Sequence, residues 1–207
     1  MSSDIRAKTF LNSLSASTAA VAALQTTSGT AAMTLTAAAG TGAFHATDQA
    51  AKVTLTSGGN ISGVTITLTG TDIAGNTLTE DIAGPNANTV TSTKFYDTIT
   101  SVAGDGSIGT NTSIGVAAGT TGGQAKINSD RTRLKGIHVT TGGTVGDMTF
   151  YNTSPISGTS LFSIKSATTT KDYIDPYIPD DGIVFSGGGY IDLPAGTAVS
   201  FTVFYDG

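Results

Sequence analysis

The sequence predicts an all-β protein: two antiparallel β-sandwich or jelly-roll-like units, preceded by an N-terminal arm or short helix. Three observations predict it. Apolar residues alternate with threonines, as in Val64-Thr65-Ile66-Thr67-Leu68-Thr69, which sends one kind of side chain to each face of a strand. Gly, Asn, Asp and Pro interrupt these runs about every ten residues, the spacing of a sandwich or barrel. Threonine is in excess, and it suits a pleated strand with one wet face better than a helix interior.

Composition narrows the function classes. The chain has 207 residues, enough for one large or two small β domains. With 38% hydrophobic residues and a mean hydropathy of +0.11, it has the material for a packed core. Charged residues make up only 12%, half the usual share, and 27 glycines with many Thr, Ser and Ala take their place. So few charges point to a surface partly covered by other protein chains. A net charge of −5 argues against binding nucleic acid by phosphate neutralisation. The absence of cysteine excludes disulfides and thiolate metal sites. No apolar run approaches the roughly 20 residues that span a bilayer. Arg6 and Lys8 precede LNSLSASTAAVAAL, but Asn12 and several serines break that segment, so it does not read as a signal peptide.

Residues 1–47 form the least regular stretch. Phe10, Leu14, Val21 and Leu24 recur at three-, four- and seven-residue intervals, the spacing of a short amphipathic helix. Ser and Thr crowding competes for backbone hydrogen bonds and favours the alternative, an extended arm that orders against neighbouring subunits. Residues 48–123 form the first β unit and a linker. Val53 and Leu55 share a face, Ser57-Gly58-Gly59-Asn60 turns, and Val64, Ile66 and Leu68 follow on one face. Asp72 to Asn76 turns again before Leu78 and Ile82, and Gly84-Pro85-Asn86 precedes Val90 and the segment from Phe95 to Val102. Gly104 to Gly123 reads as a wide loop and linker in which Ile108, Ile114 and Val116 have the makings of one more strand. Residues 124–207 form the second unit, with strands around Leu134 to Val139, Met148 to Tyr151, Leu161 to Ile164, Ile183 to Phe185, Tyr190 to Leu193 and Val199 to Tyr205. Aromatic residues concentrate in this unit, as in a well-packed core.

Two stretches carry a resemblance. The frame GTD…GN…TE…GPNA.TV.STK, between Gly70 and Lys94, resembles a β-module of tailed-phage virion proteins. The frame RLKGIHVTTGGTVGDMTFYN…SGTSLFSIK…YIPDDGIVFSGGGYIDLPAGTAVSFTVFY resembles the C-terminal β-sandwich modules of small phage virion proteins. The resemblance runs over about Ala50–Gly207. It implies a structural protein of the virion, assembled in the host cytoplasm as a homotrimer or larger ring, with the major capsid protein or other virion proteins as partners. It does not fix the position within the particle.

Individual residues offer little chemistry. His138 lies between Ile137 and Val139 and so faces away from them, and no motif marks a partner for it or for His45. Glu80 and Asp81 are neighbours on a strand and point to opposite faces, which spoils them as an acid/base pair. Asp172, Asp175, Asp180 and Asp181 cluster around Pro176 and Pro179, but their spacing matches no calcium loop, and Tyr173, Tyr177 and Ile178 between them suggest a contact loop. Gly142-Gly143 and Gly187-Gly188-Gly189 lack the Lys-Ser/Thr of a phosphate loop and read as turns. Arg131, Arg133 and Lys135 alternate along one strand face opposite Leu134, and a neighbouring subunit's carboxylates are their natural partners. No cofactor, metal or catalytic group is expected, and no membrane or specific nucleic acid partner. The candidate subunit contacts are Phe10, Leu14, Arg131, Arg133, Lys135, Tyr173 and Tyr177.

Three classes remain open. The first is a non-enzymatic virion protein, foremost a capsid decoration (cement) protein that binds and stabilises adjacent capsid subunits, with a head-to-tail connector, tail ring or tail protein as the alternative. The second is a glycan-binding adhesin in which Tyr173, Tyr177 and Tyr190 stack on sugar rings. The third is a virion depolymerase, which the lack of paired carboxylates disfavours.

Overall fold

The computed structural model describes residues 4–11, 21–36, 48–108, 114–118, 122–141, 146–153, 158–165, 173–194 and 199–207, with backbone alone for 114–118, 141, 173 and 199. The protein is all-β, and no helix occurs among the described residues. In chain order the strands are β1 (Arg6–Leu11), β2 (Ala22–Gln25), β3 (Gln49–Ala50), β4 (Val53–Ser57), β5 (Thr65–Thr71), β6 (Thr77–Ala83), β7 (Thr89–Thr91), β8 (Thr98–Gly104) and β9 (Ile114–Ala118). They continue as β10 (Gly123–Asn128), β11 (Thr132–Thr141), β12 (Met148–Tyr151), β13 (Ser160–Ile164), β14 (Tyr173–Ile174), β15 (Ile183–Phe185), β16 (Gly189–Leu193) and β17 (Val199–Asp206). The chain folds as two units, one made of Leu14–Thr120 and the other of Met1–Ser13 together with Thr121–Gly207.

In the unit Leu14–Thr120, one sheet has the order β2-β9-β4-β7 and the other β6-β5-β8, all antiparallel. Alternation does the work here. Val53, Leu55, Ile66, Leu68, Leu78, Ile99 and Val102 turn inward onto one core with Ile61, Tyr96 and Ile108, while Thr54, Thr56, Thr67 and Thr69 take the opposite face of their strands. The stretch expected as loop and linker contains β9, which lies between β2 and β4.

In the other unit, β1, β17 and β11 pair antiparallel in that order, and β14 and β15 both pair with the far side of β11. A second sheet runs β13-β12-β16-β10. The inner faces share a core of Phe10, Leu134, Ile137, Val139, Phe185, Phe201, Val203 and Tyr205 with Ala125, Ile127, Met148, Phe150, Ile191 and Leu193. Phe150 stacks on Phe162 with ring centroids 4.4 Å apart. A bulge between Leu134 and Gly136 restores the inward phase, so Leu134 and Ile137 are both buried although three positions apart.

One expectation is corrected by this arrangement. Phe10 is on a strand, not a helix: β1 pairs with β17 over six positions, from Arg6 opposite Tyr205 to Leu11 opposite Ser200. Leu24 is likewise on strand β2, and Leu14 lies outside the described residues. Phe10 and Leu24 serve strands of different sheets, and Val21 sits just before β2 in the other core, so their helical spacing marks no helix. Residues read together as 1–47 therefore fall in both units.

Candidate interaction surface

The polar residues of the GTD…STK frame are used for structure. Asp72 closes the DIAGN turn: its Oδ1 accepts the N–H groups of Ala74 and Asn76 at 2.9 and 2.8 Å, and its Oδ2 accepts the Asn76 amide at 3.0 Å. Asn88 Oδ1 accepts the Asn86 N–H at 2.9 Å within the GPNAN turn, where Ala87 takes a positive φ of 51°. Ser92 Oγ accepts the Val53 N–H and donates to the Lys94 carbonyl, each at 2.8 Å. Glu80 holds the Thr93-Lys94 backbone, and Asp81, on the other face, accepts the Thr67 hydroxyl at 2.7 Å. Asp72, Asn88 and Glu80 thus satisfy turn or loop N–H donors that no ladder reaches.

The basic and acidic clusters come together. β15 pairs with Thr132–Leu134, so the loop 175–182 that leads into it lies against the β11 cations. Arg133 donates from Nη1 to the Asp181 carbonyl at 2.7 Å, and the Lys135 ammonium donates to the Asp180 carbonyl at 3.1 Å. Lys135 also lies 3.9 Å from the Asp206 carboxylate. Both side chains are thus engaged by backbone oxygens of their own chain, whereas carboxylates of a neighbour were the expected partners. Arg131 is exposed.

The loop these cations hold is braced from within. The Gly182 N–H donates to the Pro179 carbonyl at 2.6 Å, and Ile178 packs against the core. Tyr177, the neighbour of Ile178, points the other way and is 84% exposed. The Asp175, Asp180 and Asp181 carboxylates are exposed beside it. Asp172 and the Tyr173 side chain lie outside what is described. Among the described residues no group of three or more His, Asp or Glu is arranged to hold a metal ion.

The other sequence candidates divide clearly. Phe10, expected at a subunit contact, is 2% exposed and belongs to the core of its own unit. Tyr190, offered as a sugar-stacking residue, is 5% exposed and so has no ring face to present. His138 is exposed, with Nε2 3.5 Å from the Thr140 hydroxyl, and His45 lies outside the described residues.

The feature that sequence reasoning missed is the outer face of the β1-β17-β11 sheet. Cross-strand pairing puts Ala7, Phe204 and Gly136 in one row, Thr9, Thr202 and His138 in the next, and Leu11, Ser200 and Thr140 in a third. Leu11 and Phe204 are exposed there, as are Ile5 just before β1 and Val184 beside Arg133 on β15. The alternation of β17 alone would have revealed Phe204 as the odd apolar residue among Ser200, Thr202 and Asp206. Ile5 and Leu11 join the same face, on either side of the Ala7 and Thr9 rows, only once β1 is known to lie alongside.

No family model and no curated protein matches the chain. A solved structure similar in extent is the crystal structure of the major capsid protein P2 from Bacteriophage PM2. It is 11% identical, with 98% of this chain and 97% of that chain covered and a TM-score of 0.26. That superposition is too loose to assign a shared fold.

Proposed function

We propose that this chain is a non-enzymatic structural protein of a tailed-phage virion, a capsid decoration (cement) protein that binds and stabilises adjacent capsid subunits. The observation that carries the reading is the pairing of a packed inner core with apolar side chains left on the outside. Ile5, Leu11, Phe204 and Val184 remain exposed on the outer side of the β1-β17-β11 sheet and its β15 neighbour, and apolar side chains left in water offer area for a protein partner to cover. Tyr177 adds an exposed aromatic side chain of the type that anchors interfaces.

Two further points support it. The frame that resembles phage β-modules is built of turn-closing residues, so the likeness lies in architecture and suits a load-carrying role. The low charge content also fits a surface that spends its life against other subunits. Repeated by symmetry on a particle, modest contacts of this kind add to a firm hold.

Immunogold labelling of purified particles with antibody to this chain tests the proposal. Label spread over the capsid is the expected result. Label confined to the neck or tail moves the protein to the connector or tail, and particles without label remove it from the virion. A glycan array with binding lost on Tyr177→Ala would instead favour the adhesin class.

A further inference from the structure

We infer, building on the attachment role proposed above, that the outer face of β17, β11 and β15 and the adjoining Tyr177 loop dock on a basic protein surface, one that presents arginine or lysine side chains around an apolar patch. The apolar part of the face is continuous. Phe204 and Asp206 share the outer side of β17, and their ladder partners on β11 are Gly136 and Arg133. A Cβ on Gly136 would lie 3.3 Å from the Phe204 ring, so the ring leans over β11. Arg133 in turn pairs with the exposed Val184 of β15. Asp181 and Gly182 come directly before β15, so this face ends at the loop that carries Tyr177.

The sign of the charge at that end selects the partner. Asp175, Asp180 and Asp181 are exposed, and among the described residues none of the three carboxylates has a cation beside it. The two cations of the face are committed elsewhere. Arg133 donates to the Asp181 carbonyl and Lys135 to the Asp180 carbonyl, and Lys135 also lies 3.9 Å from the Asp206 carboxylate. Because backbone oxygens take these donors, the side-chain carboxylates of the loop keep their acceptor positions open. A field of that sign repels the phosphates of nucleic acid and of anionic lipids, and it attracts cations. Tyr177 stands within the same stretch, and the face of an exposed phenol ring attracts a guanidinium or ammonium that a carboxylate then holds by charge-assisted hydrogen bonds. Apolar area around Phe204 supplies the hold, and the acidic end supplies orientation and rate of encounter.

The triple variant Asp175→Asn, Asp180→Asn, Asp181→Asn removes the charges and leaves the carbonyls that engage Arg133 and Lys135, so its urea midpoint should match that of the native chain. Co-sedimentation with particles lacking this chain is measured at about 50 and 500 mM salt. The native chain should bind about tenfold or more tighter at the lower salt, and the triple variant should lose that advantage. Tyr177→Ala should bind more weakly at both salts while keeping the salt dependence. If the native chain binds equally at both salts, or the triple variant binds as the native chain does, the partner is not basic, although the attachment role stands. If the native chain binds no particle, the attachment role fails, and a second arm decides the charge. The peptides acetyl-Leu-Arg-Leu-Arg-amide and acetyl-Leu-Glu-Leu-Glu-amide are titrated onto the native chain while the NMR signals of Tyr177 and Phe204 are followed. Shifts with the arginine peptide alone are expected. Shifts with the glutamate peptide, with duplex DNA, with phosphatidylglycerol vesicles or with rising concentration of the chain itself overturn the inference, as does the absence of any shift.

Discussion

The carboxylate of Glu80 accepts both the backbone N–H and the hydroxyl of Thr93, each at 2.7 Å, and so ties β6 to the turn that precedes Tyr96. Its other oxygen accepts the Lys94 N–H at 3.2 Å and lies 3.5 Å from the Tyr96 hydroxyl. The Lys94 ammonium completes the clasp by donating to the Thr79 carbonyl at 2.6 Å. Burial, then the Glu80 charge and hydrogen bond, push the Tyr96 phenol well above its ordinary range, so it stays protonated. Glu80→Ala should therefore lower stability by about 2 kcal/mol, and Glu80→Gln, which keeps one acceptor, by about 1 kcal/mol. Urea denaturation with an unchanged m-value checks both. Equal stability of all three proteins would mean that the clasp contributes nothing.

Two glycines of the same unit are fixed by close backbone approach. A Cβ on Gly70 would sit 1.9 Å from the Thr98 carbonyl oxygen, where β5 meets β8, and one on Gly84 would sit 2.3 Å from the Ile61 carbonyl oxygen. Both obstacles are backbone, which cannot swing aside as a side chain does. Gly70→Ala and Gly84→Ala should each cost about 3 kcal/mol. Alanine at Gly58, where the same atom meets nothing within 4 Å, should be nearly neutral. Thermal unfolding of the three variants separates the cases.

What the sequence revealed follows from how local each pattern is. The alternation from Val64 to Thr69 is decided within six residues, and the strand it predicts is β5. Phe10 is different. Its strand is made by β17, almost the whole chain away, and in a Ser/Thr-rich neighbourhood a single aromatic residue fits helical intervals as well as strand ones. Arg133 and Lys135 were legible as one face of a strand, but not their acceptors, because backbone carbonyls carry no sequence signature and those of Asp180 and Asp181 lie 45 and 48 positions away. Tyr177 and Tyr190 look alike in sequence, and only packing separates an 84% exposed ring from one at 5%.

Asp192 gives the protein a pH-dependent component. Burial raises its carboxyl above the ordinary carboxylate range, against the opposing hydrogen bonds of Gln124 and Tyr151. Neither Asp192 Oδ1 nor Gln124 Oε1 has a donor from the described chain, so a proton on the carboxyl group is welcome in the fold. With the folded value raised, the contribution of Asp192 is fully present below its unfolded pKa and is lost as pH rises through the folded one. Asp192→Asn supplies a donor at every pH. The variant should match the native chain in acid and exceed it by about 1 kcal/mol at neutral pH. Denaturant midpoints measured from pH 3.5 to 8 test the sign, and a difference that shrinks as pH rises would contradict it.

Tyr177 and Ile178 stand next to each other with opposite roles. Ile178 packs on the core, while Tyr177 is 84% exposed on a loop held by Arg133 and Lys135. Tyr177→Ala should leave stability within about 0.5 kcal/mol of the native chain. Ile178→Ala should cost about 1–2 kcal/mol by removing buried apolar contact. If the loop is an attachment point, the order reverses for binding: an exposed aromatic ring has a large apolar area to bury on docking, so its removal is felt mostly in affinity. Tyr177→Ala should then weaken attachment to particles by about tenfold or more in co-sedimentation, while Ile178→Ala, kept below its unfolding temperature, binds nearly as the native chain does. Unchanged co-sedimentation of Tyr177→Ala would take the loop out of the contact and leave the outer face around Phe204 to carry it.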